Sequence, residues 1–192
     1  DRLFAEKGYD GTSMRDVALA AGVNKALVFY YFDNKDSLFE TVLANYYAQH
    51  REALTLGMDP SGALQPQLHQ LVDRYLDFIA DNHRYARLIQ HQVAAGGAQR
   101  SAITRGLAEL LEWMVQAMGP LGRLEGHLAA KHLYLTISGA VVNYFTYGPM
   151  IAEAWGTDPL SEAAVAERKA HIHWLMDVLL DALSREADKT GS

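Results

Sequence analysis

The chain contains no cysteine. That excludes disulfides, thiolate metal sites and cysteine nucleophiles together, and it agrees with a reducing compartment. A positive charge balance is lacking as well: the formal net charge is −6, which argues against coating nucleic acid by charge alone, since non-specific affinity comes from neutralised phosphates. No positive-then-apolar leader opens the sequence, so a cytoplasmic location is expected. Alternating strand runs bounded by hairpin residues are missing. So are a glycine-rich phosphate loop, a zinc-protease helix motif and a nucleophile elbow, which leaves an all-α enzyme without a candidate catalytic site. What is present is helical periodicity along nearly all of 192 residues with 49% hydrophobic content, enough to bury a real core. The expected class is all-α.

One apolar run needs explanation. Leu133 to Ala152 holds no charged residue, and about 18 apolar residues is the usual threshold for a membrane span. Thr136, Ser138, Asn143, Thr146 and the Gly148-Pro149 break interrupt it, and no lysine or arginine cluster flanks it. A helix covered on every side by its own domain and a partner subunit explains the run without a membrane.

The first elements are short and sharply punctuated. Leu3-Phe4 end a helix stopped by Gly8, and Ser13-x-x-Asp16 reads as a capping box for a helix reaching about Ala20. Asn24 caps a second short helix, and Asn34 a long one from about Lys35 to Thr55. Gly57-Met58-Asp59-Pro60-Ser61-Gly62 is dense in helix breakers. The expected division is a helix-turn-helix module at 1–45 and a helical ligand-binding and dimerisation domain at 46–192. In the second, helices are expected around Leu68 to Ala80, Arg84 to Ala95, Ser101 to Met118, Leu124 to Tyr147 (ended by Gly148-Pro149) and Leu160 to Arg185.

Two short helices joined by Ala21-Gly22-Val23 form a helix-turn-helix if both seat on one core. Val17, Ala18, Ala21, Val23, Val28 and Phe32 can face inward with Phe4 and Leu38, leaving Lys25, Ala26, Leu27 and Tyr30 outside. Leu27 is what a thymine methyl would meet in a major groove. Periodicity alone leaves a plain small helical bundle equally open.

From Leu3 through Leu43 the sequence resembles the TetR family of transcriptional regulators. The resemblance is carried by Leu3-Phe4-x-x-x-Gly8-Tyr9, Thr12-Ser13-Met14, Ala21-Gly22-Val23 and Tyr30-Tyr31-Phe32-x-x-Lys35-x-x-Leu38. It implies that Lys25, Ala26 and Leu27 meet base edges and that Tyr30 and Tyr31 lie beside phosphates. It also implies that Thr12, Ser13 and Arg15 approach the backbone at one helix start and Lys35 at another, where the helix dipole favours an anion. Two departures stand out: Phe29 replaces the family's frequent tyrosine, and Asp33 stands where a basic or neutral residue is common. The chain also opens at Asp1 inside what the resemblance makes the first helix, so further upstream residues are expected.

The resemblance further implies a homodimer on a palindromic operator of double-stranded DNA, with two related modules reading half-sites about one DNA turn apart or its multiples. On the last helix Val165, Ile172, Met176, Leu179 and Leu183 form one stripe, and Leu175, Val178 and Ala182 a neighbouring one. One would meet its own domain and the other a partner, so Val165, Ile172, Leu175, Met176, Leu179 and Leu183 are the interface candidates. For a small-molecule effector, central helices offer aromatics with hydrogen-bonding tips: Tyr75, Phe78, His91, Trp113, Met114, Asn143, Tyr144, Tyr147 and Trp155. Metal ligation and cofactors are not expected, since His171 and His173 lie about 200° apart on a helix. The expected function is a ligand-released repressor. The rival readings are a helical small-molecule- or protein-binding module without DNA binding, and an all-α enzyme.

Overall fold

The computed structural model describes residues 2–56, 63–95, 100–117 and 125–190, and the side chains of these except 87, 91–95, 100, 102, 113, 114, 117 and 187–190. Ten helices and no strand occur among the described residues: α1 Arg2–Lys7, α2 Met14–Ala21, α3 Lys25–Tyr31, α4 Lys35–Thr55, α5 Leu64–Asp81, α6 His83–Ala95, α7 Arg100–Ala117, α8 Ala130–Thr146, α9 Gly148–Trp155 and α10 Glu162–Thr190. They form two compact units, Asp1–Gln49 with Arg84–Leu107, and His50–His83 with Ala108–Ser192. The first unit thus runs to Gln49 and takes in a later segment. The reason is visible in its core, where Leu88 and Ile103 are buried with Phe4, Val28, Leu38, Phe39, Val42 and Leu43. A short three-helix module cannot enclose Phe39 and Leu43 alone, so α6 and α7 supply the missing apolar faces.

Aromatic packing orders this core: the Phe39 ring meets Phe4 edge-on at 4.9 Å and Tyr9 at 5.1 Å. Gly106 of α7 lies so near Tyr47 that an added Cβ would stand 2.5 Å from its ring. Only glycine permits that approach.

In the second unit α5 and α10 pack antiparallel along a ladder at four-residue spacing. Lys169 pairs with Asp77 at 2.7 Å, His173 with Asp73 at 2.9 Å and His69 with Asp177 at 2.7 Å, while Gln65 donates to Asp177 at 2.7 Å. The His69 and His173 rings stack at 4.2 Å. The Asp177 carboxyl is held below its usual range, chiefly by the Gln65 hydrogen bond and then by His69. Such partly exposed pairs contribute little energy each, but they fix the register of the two helices.

The uncharged run is split. Rather than ending at Gly148-Pro149, its helical character resumes there: α8 closes at Thr146, and Pro149 sits in the first turn of α9, where its missing N–H costs nothing. The start of α8 also differs from expectation, at Ala130 rather than near residue 124, after a turn in which Gly126 takes φ 84°. No helix among the described residues is long and apolar enough to cross a membrane.

Candidate nucleic-acid interface and apolar cavity

Local chemistry fixes α2, α3 and the turn between them. The Ser13 side chain accepts from the Asp16 N–H at 3.1 Å and the Asp16 carboxylate accepts from the Ser13 N–H at 3.0 Å, a complete capping box. These bonds from Ser13 hold the Asp16 carboxyl below its ordinary pKa. At the other end Gly22 adopts φ 67°, and the Val23 N–H returns to the Ala18 carbonyl at 3.0 Å. This left-handed close requires glycine and aims the chain into the next helix. Asn24 then caps α3, its side chain accepting from the Leu27 N–H at 2.8 Å.

With both ends tied, α3 is anchored by one fully buried side chain, Val28. Everything else it carries is turned outward. Lys25 and Ala26 are exposed, Leu27 is 43% exposed, Tyr30 80% and Tyr31 70%. The two phenols meet edge to face at 5.2 Å. So many large apolar groups exposed on seven residues mark a contact surface. Arg15 is exposed on the first turn of α2.

Two residues expected at phosphates make contacts within the first unit. Thr12 is only 2% exposed, and its hydroxyl donates to the Gly8 carbonyl at 2.8 Å, which closes α1. Lys35 is half-buried: its Nζ donates to the Tyr9 carbonyl at 3.0 Å and lies 4.0 Å from the Tyr9 ring centroid. It braces the start of α4 against the α1–α2 turn. The Tyr9 hydroxyl in turn hydrogen-bonds Asp36. Phe29, a mere departure in the sequence, gains a role, because the Lys25 Nζ rests 5.2 Å from its ring centroid. The i, i+4 spacing of Lys25 and Phe29 carried that signal.

The second unit contains an apolar cavity of about 80 Å³. His50 and Leu54 of α4, Leu68, Leu71 and Tyr75 of α5, Leu110 of α7, Leu133, Tyr134, Ile137 and Ser138 of α8, and Met176, Leu179, Leu180 and Leu183 of α10 line it. Of the expected effector residues, Tyr75 is in this wall and Phe78 lies beside it, stacked on the His50 ring at 4.9 Å. Tyr144 and Trp155 instead border a separate groove with Arg168 and His171, while Asn143 and Tyr147 are exposed. His91, Trp113 and Met114 fall outside the described side chains. His50, Tyr134 and Ser138 went unread; the signals were a histidine on an otherwise apolar helix stripe and a polar pair at i, i+4 in the uncharged run.

The interface stripe on α10 also changes. Ile172 is fully buried and Leu183 is 2% exposed, and Met176, Leu179 and Leu183 face the cavity, so these side chains serve their own unit. Val165 and Leu175 are half-buried. The exposed apolar groups are Trp174 and Val178 on α10 and Leu135 on α8. Among the described residues no cluster of three or more ligating side chains suits a metal ion.

Burial holds the His50 ring neutral, lowering its pKa from 6.5 to about 4. Between those values the unfolded chain binds the extra proton and the folded one does not, so stability rises with pH through that window. Acidification from pH 6.5 to 4 is expected to cost up to about 3 kcal/mol from this group, with no further loss below. Denaturant midpoints of His50→Phe should show a flattened acid limb; an unchanged limb would remove His50 as its source.

Comparison with known proteins now bears on the site. Residues 1–42 match the family model described as bacterial regulatory proteins, tetR family. The probable HTH-type transcriptional regulator YttP of Bacillus subtilis is 32% identical over 93 residues, 47% of this chain and 45% of that protein. The biofilm operon icaADBC HTH-type negative transcriptional regulator IcaR of Staphylococcus epidermidis is 30% identical over 108 residues, 56% of this chain and 57% of that protein. The chain thus spans about half the length of the curated relatives it matches. Among solved structures, a putative TetR-family transcriptional regulator from Rhodococcus sp. shares the fold with a TM-score of 0.67 at 17% identity, covering 92% of this chain and 91% of that one. The transcriptional regulator FadR from Bacillus subtilis in complex with stearoyl-CoA aligns with a TM-score of 0.61 at 18% identity, covering 88% and 91%.

Proposed function

We propose that this chain, which its residues 1–42 place in the tetR family of bacterial regulatory proteins, is a dimeric repressor of transcription released from DNA by a small-molecule effector. The observation that carries the reading is α3: a capped helix held by Val28 that presents Lys25, Ala26, Leu27, Tyr30 and Tyr31 outward. Lys25 and Leu27 suit base edges in a major groove, and the phenols suit phosphate oxygens. With a net charge of −6, general attraction to DNA is weak. Affinity then depends on two copies docking together on a palindrome. Repression agrees with the description of IcaR as a negative regulator.

Dimerisation through α8 and α10 would cover Leu135, Trp174 and Val178. The effector would occupy the apolar cavity. Helix α4 has His50 and Leu54 in the cavity wall, and Leu38 and Phe39 in the core that seats α3. An effector favouring one disposition of α4 thereby biases the recognition helices. A shift from 1:99 to 99:1 needs about 5.5 kcal/mol of differential binding, which two sites can share.

The test is a mobility shift on DNA from upstream of the coding gene. Binding is expected to be two protomers per site and to fall steeply with salt. Trp174→Glu should yield monomers in sedimentation and lose the shift. A Trp174→Glu monomer that still binds as tightly, or no shift at low salt on any upstream fragment, would overturn the reading.

A further inference from the structure

The cavity is apolar, and none of its described lining residues is Asp, Glu, Lys or Arg. The described polar residues in its wall, His50, Tyr75, Tyr134 and Ser138, turn almost only carbon toward the space. Several charged residues on the same helices pair with one another: Asp73 with His173, Asp77 with Lys169 and Asp177 with His69 between α5 and α10, and Arg51 with Glu109. Burial raises the Tyr134 phenol to about 12 and holds the His50 ring neutral, so both stay uncharged near neutrality.

An ion entering such a lining gives up its hydration and receives no opposite charge. That penalty is large enough that an acid enters in its protonated form instead. A phosphate or thioester nucleotide has no cation to receive it among the described lining residues. A ketone or ester has far less hydration to give up than an ion, so an uncharged, mostly hydrocarbon skeleton is the form this lining admits.

We propose that this cavity takes an uncharged, predominantly hydrocarbon effector with no more than one or two weakly polar groups, and rejects carboxylates, phosphates and ammonium compounds of the same shape. The selectivity follows from the lining itself. Only its consequence at DNA rests on the repressor reading above.

Two isosteric pairs small enough for the space test it on the full chain by calorimetry: 2-butanone against propionate, and 2-pentanone against butyrate. At pH 7.5 the ketone of at least one pair is expected to bind tenfold or more tighter than its carboxylate. The gap should narrow about tenfold per pH unit as the solution is acidified toward the carboxylate's own pKa, since only the protonated fraction enters. Ile137→Trp and Ser138→Leu fill the cavity from one wall, and each variant with wild-type helix content should lose ketone binding. A carboxylate that binds as tightly as its ketone at pH 7.5, failure of both ketones to bind, or undiminished binding in both filled variants would overturn the proposal. Ketones that bind selectively yet leave the DNA complex intact would uphold the cavity's chemistry and overturn ligand release. Carboxylate-driven release without ketone binding would do the reverse.

Discussion

Phe39→Ala is expected to destabilise the first unit by about 3–5 kcal/mol, the usual cost of truncating a fully buried phenylalanine. The side chain is wholly inaccessible, and its ring is the common partner of Phe4 and Tyr9. Removing it strips two aromatic contacts and leaves a void between α1 and α4. Against a typical total of about 5–15 kcal/mol, that loss is a large share. The two units allow a direct reading, because Trp113, Trp155 and Trp174 all belong to the second. Urea melts followed by far-ultraviolet dichroism should move to lower denaturant, while tryptophan fluorescence moves less. Phe39→Leu, which keeps most of the volume, should cost under about 1.5 kcal/mol. Coincident, unshifted transitions for Phe39→Ala would show that α6 and α7 close the void.

The helix-turn-helix was legible because its signals are local. A capping box, a left-handed glycine and an asparagine cap each act within four residues, and each appears where the sequence placed it. What distant contacts decide was not legible. Lys35 has the chemistry of a phosphate ligand, but its partner, the Tyr9 carbonyl, lies far back in the chain and is identified only once the start of α4 packs on the α1–α2 turn. The recruitment of Leu88 and Ile103 to the first core is likewise invisible to periodicity, which tells that a face is apolar but not what it meets. The same limit explains α10, where two adjacent apolar stripes were found but the choice of the inward one required the cavity wall. At Gly148-Pro149 the residues that end one helix also begin another, and sequence gives both outcomes the same punctuation.

The combined change Lys25→Ala and Tyr30→Ala is expected to weaken operator binding with little effect on the fold. Both side chains are exposed, Tyr30 by 80%, and alanine is the best helix former, so α3 should persist. The Ser13, Gly22 and Asn24 end contacts and the Val28 anchor remain. What goes is one cation resting on Phe29 and one phenol paired with Tyr31. If the two contacts together supply about 1–2 kcal/mol in each half-site, a symmetric dimer loses about 2–4 kcal/mol, roughly a 30- to 1,000-fold rise in Kd. The salt slope separates their roles: losing a phosphate-neutralising lysine flattens it, whereas losing a base contact lowers affinity on the operator and leaves non-specific binding unchanged. Single variants titrated on operator and unrelated duplexes would make that distinction. Unaltered Kd and slope in the double variant, with an unshifted melt, would move the reading surface away from α3 toward Arg15 and the start of α2.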